Sequence, residues 1–470
     1  MIHVSAWEDD PQSAPAAQPC ERPAPALEQR RLGVAIAGPK PAARVYQPGS
    51  AGFRYWNAAD SLTRAAQYWA GRVPSPVRWQ TGAVLPAVVD AGVDLNAYYD
   101  RRQLCFFHAK VGGLTVYSGE SPDVLCHELG HAVLDALVPA LWNAAAIEVA
   151  ALHEAFGDIS AMLSALELSS VRAAVLRETD GRLSRSSRVS RLAEQLGWAV
   201  RQVRPDAVET DCLRNAANSF FYSAPEKLPP MAPATSLSSE PHSFSRVFTA
   251  AWLDGLAGMV SVVGPSPDDL HRATQDAGAL LVRAVPRAVI APNYFAQVAA
   301  QIIKADAELH KGRYREPLRR AFVGRVLLSL NSAAVVTTDV SRITSMGETP
   351  LGESTRVLRV PVDGETYGLR VRRVWVEATL AEARSVVASA APDLGSLPAA
   401  TPERASRAFV EDLLRRHRID AGDLGIAGHR HARPARTTHA LVREGREVRL
   451  VRRLFHARGG GGPDYTGGDD

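Results

Sequence analysis

The run His127-Glu128-Leu129-Gly130-His131 constrains this chain more than any other stretch. On a helix, residues four apart lie on one face, so two imidazoles can grip one ion while the next carboxylate borders its open side. The surrounding SPDVLCHELGHAVLDAL predicts such a helix: Ser121 is a capping residue, Pro122 takes the first helical position, Asp123 lies in the first turn, and apolar residues recur at helical spacing. A catalytic zinc takes three protein ligands and keeps a position for water, so a third ligand must come from another element. A second helix predicted at 143–167 offers Glu154, with Asp158 one turn later on the same face. Carboxylates behind a ligating histidine hold its other N–H, a role that suits Asp158. Leu137 stands where the metzincin pattern requires a third histidine, which excludes that class.

Composition bears on compartment and partners. The 46% hydrophobic and 22% charged residues exclude a collagen, a wholly disordered chain and a small disulfide scaffold. Cys20, Cys105, Cys126 and Cys212 form no C-x-x-C, so neither a zinc ribbon nor a disulfide framework is signalled. The N-terminus is acidic where a secretory signal is basic, and no uncharged apolar run approaches the ~20 residues of a membrane span. A soluble, cytoplasmic protein without a membrane partner is expected. A net charge of +4 over 470 residues does not announce a nucleic-acid partner.

The chain divides into a flexible Pro/Ala-rich leader (1–48), with folding starting near Val45, a β-rich lobe carrying the zinc helix (49–142), a helical lobe (143–330), an accessory α+β domain (331–458) and a disordered Gly-rich tail (459–470). Within the first lobe, FRYWN is expected as a strand, 59–71 as a helix, and LNAYYD, QLCFFHA and VGGLTVYSG as strands. Helices are expected at about 245–260, 267–288, 293–310 and 315–330. Beyond 331 come strands in STRVLRVPVDG and TYGLRVRRVWVEAT, helices near 379–389 and 402–417, and a hairpin THALVREGREVRLVRRLF.

On these residues the chain resembles the thermolysin-like neutral proteases, a gluzincin family. DVLCHELGHAV resembles the family's zinc helix, and HEAFGD at 153–158 its third-ligand helix, with His153 and Gly157 replacing the usual Asn and Ser. The resemblance implies a two-lobed α+β zincin binding one Zn2+ through His127, His131 and Glu154, with Glu128 as general base and Asp158 orienting a histidine. Asn96-Ala97 resembles the edge strand that pairs with a bound peptide; Leu213-Arg214 resembles the family's Leu-Arg pair, the Arg contacting a substrate carbonyl and the zinc ligand. His242, 28 residues after Arg214, resembles the histidine that stabilises the tetrahedral intermediate. Val124 and Leu213 stand at positions resembling the S1′ wall, which implies a bulky apolar P1′ residue.

Departures are informative too. Trp142 stands 11 residues after His131, where the family has its catalytic Tyr, and an indole N–H donates but cannot act as a phenol. Glu240, two residues before His242, reads equally as an imidazole-orienting acid and as a loop acid. Asp123 matches a family calcium ligand, but the acidic partner expected one turn into the second helix is Ala165, so calcium is not supported. The expected activity is a zinc endopeptidase acting on a peptide or protein substrate. The alternatives are a gluzincin aminopeptidase, disfavoured by the lack of a G-x-M-E-N-type strand, and a catalytically retired zinc-fold binding protein. Residues 427–458 carry nine arginines against two glutamates, yet only Phe455 as an aromatic, so a solvated or docking face, open to a protein partner, is favoured over nucleic acid. His429, His431, His439 and His456 there are expected as surface histidines.

Overall fold

The computed structural model describes residues 2–14, 17–26, 31–330, 332–333, 358–378, 401–425 and 437–456. The helix near 379–389, His429, His431, Arg430, Arg433, Arg436, Arg458 and the Gly-rich tail lie outside them. The expectation of a flexible leader is corrected. Strands β1 (His3–Ala6) and β2 (Cys20–Pro23) pair antiparallel, and β3 (Gly33–Ile36) joins the main sheet. Val4, Ala6, Val34 and Ile36 are buried, and the Trp7 amide donates to Asn57 Oδ1 at 2.8 Å. Within these three strands the only proline is Pro23, the last residue of β2, so the missing N–H breaks no central ladder.

Helix α1 (Ala51–Ala70) follows, capped by the Ser50 hydroxyl accepting from the Phe53 amide, and it absorbs the segment expected as a strand. Phe53, Trp56, Leu62 and Trp69 are buried along it, and this packing overrides the strand preference of an aromatic cluster. Next come β4 (Val84–Val88), β5 (Ala97–Tyr99), β6 (Leu104–Phe106), β7 (His108–Val111) and β8 (Leu114–Tyr117), the last two a hairpin around Gly112-Gly113. In the main sheet β3, β4 and β6 run parallel, and β5 lies antiparallel outside β6.

Helix α2 (Pro122–Leu137) starts as expected: Ser121 Oγ accepts from the Val124 amide, and Pro122 opens the first turn. Every residue from Pro122 to Asp135 is buried, as is every residue of α3 (Ile147–Ala165), so these two helices form the centre of the molecule. They cross at two glycines. A Cβ on Gly130 would lie 2.8 Å from the Gly157 Cα, an approach that only glycine permits.

Two helices without a sequence expectation follow, α4 (Ser169–Glu178) and α5 (Glu194–Val203), with the short pair β9 (Arg191–Leu192) and β10 (Arg214–Asn215). The helical block is α6 (Pro241–Val263), α7 (Pro267–Ala284), α8 (Tyr294–His310) and α9 (Arg315–Gly324), near the expected positions. Helix α6 is long and apolar enough to cross a bilayer, but 67% of its apolar window is buried inside the fold. The C-terminal unit is a five-stranded sheet in the order β11-β12-β15-β14-β13, with α10 (Pro402–Arg415) packed on it: β11 is Leu358–Asp363, β12 Arg373–Ala378, β13 Ile419–Asp420, β14 His439–Glu444 and β15 Glu447–Arg452. Its chain then leaves that sheet, and β16 (Phe455–His456) adds to the outer edge of β5. The whole is a mixed α+β fold.

Candidate metal centre

Helix α2 presents His127 and His131 on one face, their rings edge to face with centroids 4.7 Å apart. Helix α3 brings Glu154 against both: its Oε2 lies 3.4 Å from His127 Nε2 and 3.8 Å from His131 Nε2. Donors bound at 2.0–2.1 Å to one tetrahedral ion stand about 3.3 Å apart, so this spacing fits a single zinc. Nitrogen and carboxylate donors of this kind suit that ion. His127 Nε2, both ring nitrogens of His131 and both carboxylate oxygens of Glu128 are buried without a hydrogen bond. Donor atoms of His127, Glu128 and His131 all lie within 4.8 Å of one another. Buried donors left unbonded are costly unless something satisfies them, and an ion held between the two Nε2 atoms and Glu154 would satisfy both imidazoles.

The groups behind the donors are ordered. His127 Nδ1 lies 3.0 Å from Asp158 Oδ1, which leaves Nε2 facing Glu154. Arg214 on β10 grips the same carboxylate, Nη2 to Oδ1 at 2.7 Å and Nε to Oδ2 at 3.2 Å. Burial opposes the charge on Asp158, but Arg214 and His127 outweigh it and hold the carboxyl below its ordinary value. Gly157 makes the His127 position possible, since a Cβ there would stand 2.6 Å from Nδ1.

His242 enters from the first turn of α6, its Nε2 3.0 Å from Glu154 Oε2. Glu240 settles in the orienting role: Oε1 lies 2.7 Å from His242 Nδ1, and Oε2 caps α6 by accepting from the Ser243 amide. Burial disfavours the charged ring, yet Glu154 and Glu240 prevail and push His242 up to about 10. Burial pushes Glu128 up to about 8.

Val124, Leu213 and Arg214 line one pocket with His127, Asp158, Ala161, Leu192 and Ala193, so the expected wall residues do share an apolar recess beside the centre. Asn96 and Ala97 lie at the start of β5, as expected, but its outer edge is paired with β16. Trp142 donates its indole N–H to the Arg452 carbonyl at 3.1 Å and sets its ring edge-on to Tyr99. His439 and His456 are corrected from surface histidines: both are buried, His439 beside Thr438 and His456 beside His242. Of the basic stretch, Arg449 pairs with Glu377 and Glu444, Arg453 with Asp420, and Arg452 is engaged by Trp142 and Asn143, which uses those arginines within the fold.

Sequence reasoning missed that the Phe455 ring stacks on His131 and His153 and that Arg416 stands 3.6 Å from Glu240, because these partners are far apart in the chain and on different elements. It also missed that Asp123 meets Asp10 and Glu194, whose donor atoms lie within 4.8 Å of one another. The expectation against calcium rests on Ala165, with Glu167 out of register, in the second helix, whereas the acids that join Asp123 come from the N-terminal segment and from α5. No family model matches the chain, and a search of curated proteins finds no match.

Proposed function

We propose that the chain is a zinc-dependent endopeptidase built on thermolysin-like lobes, with the cleft between them as its peptide site. The observation that carries this reading is Glu154 Oε2 facing His127 Nε2 and His131 Nε2 at tetrahedral-edge spacing, with the unbonded carboxylate of Glu128 in the same buried cluster. A zinc ion held by His127, His131 and Glu154 would supply Lewis acidity toward a carbonyl oxygen and toward the attacking water. Glu128, with its affinity for protons raised by burial, takes a proton from the attacking water and delivers it to the leaving amine. His242, kept protonated by Glu240 and Glu154, donates to the developing oxyanion. The Asp158–Arg214 pair fixes the His127 tautomer and ring plane. The recess walled by Val124 and Leu213 takes a bulky apolar residue after the cut.

The test has two arms. Zinc content should be one ion per chain in wild type and Glu128→Gln, and should be lost in His131→Ala. Mass spectrometry of an unbiased peptide mixture after long incubation should show cuts before bulky apolar residues with wild type and none with Glu128→Gln. A chain that holds no zinc, or cuts that Glu128→Gln makes as readily as wild type, would overturn the reading.

A further inference from the structure

The C-terminal unit does more than pack beside the cleft; its last strand lies in it. Phe455 and His456 pair antiparallel with Tyr99 and Tyr98 of β5, the strand whose free edge would otherwise receive a peptide. Phe455 is 2% exposed. It stacks on His153 (centroids 4.1 Å) and on His131 (4.9 Å), meets Trp142 edge-on, and carries the Arg452 guanidinium over its ring at 4.0 Å. The carbonyl of His456 lies 2.5 Å from His242 Nε2 and accepts its proton, taking the donor that the proposed chemistry assigns to the oxyanion.

The C-terminal unit is also held through the end of β15 and through α10. Arg452 donates its amide to Asn143 Oδ1 at 3.0 Å and its Nε to the Trp142 carbonyl at 2.9 Å, and the Trp142 indole returns a bond to its carbonyl. At α10 Asp412 accepts from Ser239 Oγ at 2.9 Å, and Arg416 stands 3.6 Å from Glu240, the partner of His242. Trp142, anomalous against the family pattern, thus acquires a use: its single donor ties down this segment. Main-chain pairing with a sheet edge is how an extended peptide binds by strand addition, and here it comes with a carbonyl on the proposed oxyanion donor.

We propose that Arg452–His456 is a tethered, substrate-like occupant of the peptide cleft, so that the chain is latent until its C-terminal unit is displaced. This rests on the peptidase reading of the centre. The recess formed by Val124 and Leu213 is lined by none of these residues, so the occupant blocks the His131–Trp142 side while that recess stays clear. A tethered segment competes at an effective concentration that free peptide must match, which makes even modest contacts inhibitory.

The experiment compares zinc-loaded full-length wild type, Phe455→Ala and Arg452→Ala. The first variant removes the stacked ring; the second removes the guanidinium that lies over that ring and bonds the Trp142 carbonyl, while leaving the ring and the main-chain ties to Asn143 and the Trp142 indole. Two readouts are taken: turnover of a quenched-fluorescent peptide with a bulky apolar P1′ residue, and hydrogen exchange of the β5 amides by mass spectrometry. Exchange at 97–99 should rise at least tenfold in both variants and turnover at least tenfold, with added peptide of sequence Val448–His456 restoring inhibition. Unchanged exchange and equal turnover in all three proteins would overturn the latency proposal and leave the peptidase reading standing. Faster exchange with no turnover in any zinc-bearing protein would instead overturn the peptidase reading. If Phe455→Ala fails to fold, Arg452→Ala carries the same two readouts.

Discussion

Replacing Gly157 by alanine should weaken zinc binding although it puts a better helix former into α3. Helix propensity alone favours the change by about 1 kcal/mol. The structure reverses that sign. The new Cβ would meet His127 Nδ1 at 2.6 Å, Cε1 at 2.7 Å and Cγ at 3.0 Å, where unstrained contacts need about 3.5 Å or more. The ring or the helix must therefore move by about 1 Å. Overpacking of this kind costs about 1–3 kcal/mol, which cancels or exceeds the propensity gain. The displacement also strikes the 3.0 Å contact to Asp158 and the 3.4 Å spacing to Glu154. Loss of support behind a ligating histidine typically costs about 10–100-fold in metal affinity, or roughly 1.4–2.7 kcal/mol. Zinc affinity is measured by competition with a chromogenic chelator, and stability by urea denaturation of the zinc-free protein. Affinity within twofold of wild type, together with raised stability, would refute the argument that the α2–α3 approach sets the ring.

Other consequences follow from the same packing. Gly130→Ala should be more damaging still, because its Cβ meets the Gly157 backbone at 2.8 Å and no side chain can give way; soluble yield and thermal midpoint should both fall. Asp158→Asn removes the charge that Arg214 grips and that holds His127 Nδ1, and should lower zinc affinity about 10–100-fold in chelator competition. Glu148, buried and bonded to Tyr222 Oη and the Phe295 amide, is pushed up from 4.5 to about 8 by burial. The folded state therefore holds one proton more than the unfolded chain between those values, and this group makes stability fall as pH rises across them, by about 1.4 kcal/mol per unit. Glu148→Gln should flatten that dependence in urea melts at pH 5, 6.5 and 8; an unchanged slope would dismiss Glu148 as its source.

Much of the centre was legible in the sequence because its parts are local. His127, Glu128 and His131 are ordered by helical spacing alone, Glu154 and Asp158 likewise, and Ser121-Pro122-Asp123 announce where α2 begins. The role of Glu240 stayed open because two readings fit a loop acid; only the 2.7 Å approach to His242 decides it. The leader was misread for a related reason. Proline and alanine content reports what a segment does alone, whereas β1 and β3 exist by docking Val4, Ala6, Val34 and Ile36 onto partners elsewhere.

What the amino-acid order determined by itself is thus the inventory: two helices bearing five candidate side chains, a helical block and a strand-rich C-terminal unit. How they meet was decided by tertiary structure. The crossing of α2 and α3 depends on Gly130 and Gly157 facing each other, and glycines facing across a gap leave no periodic trace in either helix. The seating of β16 on β5 joins residues more than 350 positions apart, and two residues of strand carry no pattern that names their partner. Long-range pairing is specified by the shape and chemistry of both surfaces at once, so the cleft's occupant emerges only when the chain is folded.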